Sequence, residues 1–451
     1  MADSRPMKPK PRKPAARPSS APAERDREAP AQRGPVGTPS QRPLAVEPSA
    51  RLPAVTLRAA VRQPLIYRKR VAEFGGARPG DLVSVYAADE LIGYGLFNPR
   101  SEIAVRIVSF GAQLPDEPFW ETQLRRAVAL RRELLRLDEQ TNAYRVIHAE
   151  ADGFSGLVVD RLGDVLSAEA FSLGMYQRGA DLLQRLAPLC GARHLVLRAS
   201  PQFLSQEGVD APLWQSPDGP RQTIITEYGT RFRVLPGAGH KTGFFCDQRE
   251  NRRRLADFCR DRRVLDLCCY TGGFAIQAKR LGQAREATGV DLDEEPLELA
   301  RENANLNQVR VRFVQADVFG YMREMIAQGR RYDVVVLDPP KLIRTRAEYD
   351  EGVRKHFDLN RLAMRLVEDG GLLLTCSCSG LLGEEAFAEL LRAAARQAGD
   401  ELPGETPAGR RRHGPRAMQI LARTQAAPDH PVAADVPETD YLKAFWLRLT
   451  D

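Results

Sequence analysis

No stretch of this chain approaches the roughly 18 continuous apolar residues that a membrane-spanning helix requires, so that class of protein is excluded. Cysteine is sparse: seven in 451 residues, at positions 190, 246, 259, 268, 269, 376 and 378, an odd count without a C-x-x-C pair. That usage argues against a disulfide framework and a structural zinc site, so no metal is expected and the compartment reads as reducing and cytoplasmic. The first residues lack an apolar h-region, and acids and prolines are interspersed among the basic residues, so neither a secretory signal nor an organelle transit peptide is expected.

What is present points to a multidomain globular chain. Its 451 residues exceed one ordinary core and suggest about two to three domains. The formal charge of +7 favours polyanionic partners, although many basic proteins bind no nucleic acid. Residues 1–50 hold ten Lys or Arg against five Asp or Glu, in a Pro/Ala/Arg-rich composition without apolar periodicity. Residues 1–52 therefore read as a disordered basic tail, either an electrostatic tether to RNA or a solvated segment.

Beyond the tail, runs such as Asp81 to Tyr86, Leu91 to Leu96 and Ile103 to Ser109 predict a small β-barrel over 53–112. A linker helix is expected within 113–142, with Phe119, Leu124, Ala127, Leu130, Leu134 and Leu135 inward and Arg125, Arg126, Arg131, Arg132 and Arg136 largely on the wet face. A second β-rich unit is expected over 143–236, with strands at 157–161, 165–170 and 194–197, a helix near 177–189, and a hairpin turning at Tyr228-Gly229. From 237 to 451, strands alternate with helices, the pattern of an α/β doubly wound parallel sheet.

Within that last unit, acids recur at strand ends. Asp266 closes a buried strand before Cys268-Cys269-Tyr270-Thr271-Gly272-Gly273, a turn without the G-x-G-x-x-G spacing of a dinucleotide site. Its two glycines would let the backbone approach a ligand. Asp291 ends a second strand and suits two ribose hydroxyls, Asp317 ends a third and suits an adenine amino group, and Asp338 ends a fourth at the reacting end. One such acid is as often a helix cap. Four in sequence order imply a site for S-adenosylmethionine.

The series closes on Thr375-Cys376-Ser377-Cys378-Ser379-Gly380. Carbon 5 of a pyrimidine is a poor nucleophile, and a thiolate adding at carbon 6 turns the ring into an enamine that can take a methyl group. Cys378, in a Ser-rich turn after an apolar strand, is the candidate nucleophile; Cys376 is read as packing. Asp338 could accept from a cytosine amino group, with Pro339 and Pro340 fixing the turn, and Lys341 is either a phosphate contact or a surface lysine.

Gly239-His-Lys-Thr-Gly-Phe-Phe-Cys-Asp-Gln-Arg-Glu-Asn251, Tyr270-Thr-Gly-Gly-Phe274, Asp338-Pro-Pro-Lys341, Ser377-Cys-Ser-Gly380, Asp429-His-Pro431 and Tyr441-Leu-Lys443 resemble the bacterial PUA-containing class I methyltransferases of 23S ribosomal RNA cytosine-5. The resemblance covers about residues 57–449. It implies a PUA-like RNA-binding barrel, a central β-rich domain and a class I methyltransferase domain, with Cys378 as nucleophile and Asp266 to Gly273, Asp291 and Asp317 as cofactor contacts. Phe245 and Gln248 would line the cofactor site and Lys241, Lys341 and Arg249 its RNA side. Read without the resemblance, Asp247 is a helix cap in the same segment. The implied partner is ribosomal RNA; the oligomeric state is open, a homodimer being one option. Two other functions stay open: methylation of a guanine or exocyclic nitrogen, which needs no thiol, and a non-catalytic RNA-binding assembly factor.

Overall fold

The computed structural model describes residues 39–200, 206–208, 210–237, 242–399 and 415–451. Six short strands, β1 (Ala54–Leu57), β2 (Leu65–Tyr67), β3 (Val71–Glu73), β4 (Leu82–Ala87), β5 (Glu90–Phe97) and β6 (Ile103–Phe110), form one sheet in the order β2-β6-β5-β4-β1-β3. Alternation along β4 and β6 turns Val83, Val85, Val105 and Ile107 inward onto Val55, Leu57 and Ile66. β4 to β6 occupy the expected runs, whereas β1 to β3, at three or four residues each, are too short to display alternation.

Helix α1 (Glu117–Ala129) starts where Asp116 accepts from the Phe119 N–H at 3.1 Å, and it widens into a π-turn over Leu130–Leu134. Its buried stripe is Trp120, Leu124, Ala127 and Arg131, so Arg131 lies inside, contrary to the expected wet face. The 4-3-4 spacing continues the stripe onto a cation, and Asp152 neutralises it at 2.6 Å. Leu134, expected inward, is 75% exposed because the π-turn shifts the helical phase.

The next sheet orders as β11-β10-β9-β8-β7 and comprises β7 (Ala143–His148), β8 (Leu157–Leu162), β9 (Val165–Ala170), β10 (His194–Ala199) and β11 (Trp214–Gln215). Helix α2 (Leu173–Cys190), capped by Ser172, packs on it. Residues 39–52 are not a solvated tail: Leu44 is buried with its N–H donating to Asp181 at 2.7 Å, and Arg42 pairs with Asp81 at 2.8 Å. The rest of the expected tail lies outside the described residues. Strands β12 (Thr223–Glu227) and β13 (Thr230–Val234) pair through Tyr228 and Gly229, both at positive φ as a two-residue hairpin turn favours.

The carboxy-terminal sheet contains β14 (Arg263–Leu267), β15 (Glu286–Asp291), β16 (Arg312–Gln315), β17 (Tyr332–Leu337), β18 (Val367–Ser377), β19 (Ala417–Thr424) and β20 (Lys443–Thr450). Its order is β16-β15-β14-β17-β18-β20-β19, parallel from β16 through β18, with β20 antiparallel to both neighbours. Helices α3 (Arg249–Ala256), α4 (Gly273–Arg280), α5 (Glu294–Leu306), α6 (Val318–Ala327), α7 (Tyr349–Arg365) and α8 (Glu384–Arg396) complete this unit. Burial on both faces explains the unbroken apolar runs Val334 to Leu337 and Leu372 to Leu374. Strand order reverses between β14 and β17, and ligands of such sheets sit outside the carboxyl ends at this point. No described helix is long and apolar enough to cross a membrane.

Buried ions join this sheet to the central one. Asp429, fully buried, accepts from Arg249 at 2.8 and 3.1 Å and from the Arg145 N–H at 2.8 Å, while its carbonyl accepts from Arg131 at 2.8 Å. Arg145 also pairs with Asp160, and Arg252 forks onto buried Glu227 of the hairpin at 2.8 and 2.6 Å. Burial would raise the Asp429 carboxyl, but His430 and Arg249 outweigh it and hold it well below the usual range.

Asp429→Asn should therefore lower stability by up to about 3–5 kcal/mol near neutral pH, because it removes the buried counter-ion of Arg249 and leaves it only half-exposed Glu250 at 3.0 Å. A depressed folded pKa gives stabilisation that is complete above the unfolded value of about 4 and is lost as pH falls through the folded one. The difference in unfolding midpoint between the native chain and the Asp429→Asn variant should narrow in acid; a difference that widens would rule out the Asp429 charge as its source.

Candidate active site

The carboxyl edge around β14 and β17 is built on a strained turn. Cys268 (φ 61°), Tyr270 (φ 49°) and Gly272 (φ 78°) all adopt left-handed backbone. The Tyr270 N–H donates to Asp291 Oδ2 at 2.8 Å, which holds the turn against the end of β15. A Cβ on Gly272 would come within 2.8 Å of the Phe313 ring, and one on Gly273 within 3.0 Å of Arg252. Protein packing thus constrains both glycines, and φ constrains Gly272 as well. Thr271 is buried in the same turn.

Asp266 is fully buried beneath the turn, where its Oδ2 accepts from the Ala275 N–H at 3.0 Å and its Oδ1 takes no hydrogen bond among the described residues. Burial pushes this carboxyl well above its ordinary range, with Asp338 and Asp291 adding to the effect. A spare buried oxygen of this kind suits a cationic ligand group. Asp291 receives one backbone N–H on each oxygen, from Tyr270 at 2.8 Å and Asp293 at 3.2 Å, and its remaining lone pairs could accept two ribose hydroxyls. Asp317 caps α6 by accepting from Gly320 at 2.8 Å, so the capping function holds, while its other oxygen has no protein hydrogen bond among the described residues.

A cavity of about 310 Å³ opens beside these acids, lined in part by Tyr270, Thr271, Leu292, Pro296, Leu299 and Gln315. Leu292 is 62% exposed, an apolar side chain in water directly after Asp291, and could stack on an adenine ring. Sequence reading missed it; the available signal was an apolar residue between two turn acids, Asp291 and Asp293. Together the spare oxygen of Asp266, Asp291, Asp317 and Leu292 are groups that could hold S-adenosylmethionine.

At the reacting end, β17 and β18 are in register with Leu337 opposite Thr375, so Asp338 and the 376–378 segment emerge side by side. Asp338 Oδ2 accepts from Gln248 at 3.0 Å, and Gln248 is oriented by Asn251 at 2.7 Å. Gln248, expected to touch cofactor, is thus 3% exposed and acts on Asp338. Cys376 is fully buried, and Cys378 is partly exposed. Under Cys378, Ser379 Oγ accepts from the Ile343 N–H at 3.2 Å, and Ser377 Oγ lies 3.3 Å from His356 Nε2. Burial, then the Lys443 charge, pushes His356 down to about 4, so the ring is neutral at physiological pH.

The 239–251 motif divides. Lys241 lies outside the described residues. Phe245 meets Tyr270 of the glycine turn edge-on at 5.0 Å. Thr242 is buried between Asp160 and Ser167 of the central unit. Arg249, expected on the RNA side, is fully buried in its ion pair with Asp429 and reaches no surface. Asp247 caps no helix; Tyr441 donates to it at 2.6 Å. Lys341 is exposed.

Asp291→Ala should weaken S-adenosylmethionine binding about tenfold to a hundredfold, since hydrogen bonds to a charged group are worth roughly 1.5–3 kcal/mol. Calorimetry should find the affinity of Cys378→Ala nearly native; equal losses in both variants would contradict this division of the edge.

The chain matches the S-adenosylmethionine-dependent methyltransferase family over residues 185–402 and a PUA-like domain over residues 56–110, the stretch from β1 to β6. Among curated relatives, the ribosomal RNA large subunit methyltransferase I of Klebsiella pneumoniae (strain 342) is 35% identical over 86% of this chain and 94% of its own length. Proteins of the same name from Tolumonas auensis and Vibrio cholerae (strain ATCC 39541 / Classical Ogawa 395 / O395) are 36% and 32% identical, over 86% and 85% of this chain and 95% and 94% of theirs. Among solved structures, a SAM-dependent methyltransferase from Streptococcus mutans superposes with a TM-score of 0.68 at 19% identity, over 88% of this chain and 100% of that one. A methyltransferase complexed with SAH gives a TM-score of 0.69 at 19% identity, over 88% and 99%. At such identity these two speak for the fold. The strand-end acids, the PUA-like barrel and the near full-length relatives converge: this chain belongs to the ribosomal RNA large subunit methyltransferase I family of S-adenosylmethionine-dependent enzymes.

Proposed function

We propose that the chain methylates carbon 5 of a cytosine in large-subunit ribosomal RNA, with Cys378 as a transient covalent nucleophile. The observation that carries this reading is a partly exposed thiol in the turn after β18, beside Asp338 and on the same sheet edge as the cofactor acids. The cofactor supplies an electrophilic sulfonium methyl; the protein's part is to make carbon 5 able to take it. Cys378 Sγ would add to carbon 6 and shift electron density to carbon 5. Loss of the carbon 5 proton would then restore the double bond and expel the thiolate. Asp338, held by Gln248, would accept from the cytosine amino group.

The base would have to leave its stack to reach Sγ. Exposed Lys341, Arg344 and Arg346 lie on the segment that Ile343 ties to the cysteine turn, where they could hold the flanking phosphates. The PUA-like barrel adds Arg58, Arg68, Lys69 and Arg70 around exposed Tyr67, a basic and aromatic surface suited to RNA.

Incubation with deproteinised ribosomal RNA, followed by nucleoside mass spectrometry, should yield 5-methylcytidine from the native chain and none from Cys378→Ala. A methylated guanine, or 5-methylcytidine that survives the substitution, would return Cys378 to a structural role. Lys341→Ala should leave cofactor affinity unchanged and reduce the salt slope of RNA binding by about one ion. An unchanged slope would take Lys341 off the RNA.

A further inference from the structure

Lys443 is the first residue of β20, directly opposite Ser377 across the β18–β20 pair. It is 5% exposed, an unusual burial for an ammonium group, and forms no ion pair with a carboxylate among the described residues. Two of its three N–H donors go to the carbonyls of Ser379 at 2.8 Å and Tyr441 at 2.9 Å. One of these carbonyls follows Cys378 immediately in sequence, so the ammonium is bolted to the turn that carries the thiol. The third donor remains for a ligand or for the sulfur itself.

The charges around the thiol make this placement consequential. Tyr441, Cys376 and Lys443 each interact electrostatically with Cys378, and Asp338 and Asp247 act on the adjacent Cys376. Lys443 additionally feels Asp440, Lys341 and Glu384. The two acids near the cysteines disfavour a second negative charge, and His356 beneath the turn is neutral. Lys443 is the buried cation tied directly to the cysteine turn, while buried Arg145, paired with Asp160, acts on Tyr441 and Asp247. Lys341 is solvent-exposed and more strongly screened.

We propose that Lys443 is the positioning residue of the nucleophile: it fixes the turn through the Ser379 and Tyr441 carbonyls and supplies the positive charge against which the Cys378 thiolate forms. The thiol proton passes to solvent and the electron pair stays on sulfur, so no further reactant is needed. The role rests on the proposed thiol chemistry, but thiol ionisation can be measured without RNA or methyl transfer.

The test is the pH dependence of Cys378 alkylation by iodoacetamide in the full chain, read from the Cys378 peptide by mass spectrometry. Lys443→Gln, which retains a donor but no charge, should move the inflection up by about one pH unit, while Lys443→Arg should keep it near native. S-adenosylmethionine affinity close to native in both variants confirms an intact fold. A Lys443→Gln inflection identical to native, with the cofactor site intact, would overturn the proposal. Failure of the underlying reading would show instead as 5-methylcytidine persisting in Cys378→Ala, which removes the thiol chemistry, or as a methylated guanine from the native chain, which removes the cytosine-5 product.

Discussion

The buried pair of Asp429 and Arg249 is the constraint from which the site is assembled. Neither charge reaches solvent, so Asp429 is tolerable only beside its cations and hydrogen bonds, and Arg249 only beside Asp429 and Glu250. Arg131 and Arg145 must arrive at the same point, because they bond the carbonyl and carboxylate of Asp429. Segments from α1, β7, α3 and the approach to β20 are thereby locked into one arrangement. Such a cluster contributes little net stability compared with a well-packed apolar core. Its physical effect is to make misdocked arrangements costly, since each would strand at least one buried ion.

That arrangement reaches the chemistry in short steps. Fixing Arg249 fixes the residues before it, where Gln248 holds Asp338 and Phe245 leans on Tyr270 of the cofactor turn. Fixing Asp429 places the chain that leads into β20, and with it Tyr441 against Asp247 and Lys443 under the cysteine turn. The antiparallel insertion of β20 between β18 and β19 is thus more than a way to close the sheet. It brings residues from the last dozen positions of the chain beneath the carboxyl end of β18.

The proposed cofactor half of the site could be laid out from the sequence because it is local. Asp266, the Tyr270 to Gly273 turn and Asp291 lie within one strand, helix and strand, and their spacing is dictated by the right-handed crossover that joins parallel neighbours. The barrel was legible where strands ran to six or eight residues and hidden where they shrank to three. Arg131 and Arg249 were misread for one reason: charge in sequence is taken as exposure, and only the folded chain reveals Asp152 and Asp429 waiting inside. Gly272 was assigned correctly to the turn, and its packing against Phe313 was hidden because Phe313 comes from a strand some forty positions away.

This division has a mechanical consequence. A local turn can hold its shape through hydrogen bonds to its neighbouring strand, such as the Tyr270 N–H to the Asp291 carboxylate, even if more distant packing loosens. The proposed nucleophile has no such independence. Cys378 sits in a turn held from three directions, by Ile343 after β17, by His356 of α7 through Ser377, and by Lys443 of β20. Each of these belongs to an element that reaches the cysteine only through the assembled sheet. Cofactor recognition and thiol placement are therefore separable properties of one sheet edge. The carboxy-terminal strand, remote from the glycine turn in both sequence and contact, governs the second without being required by the first.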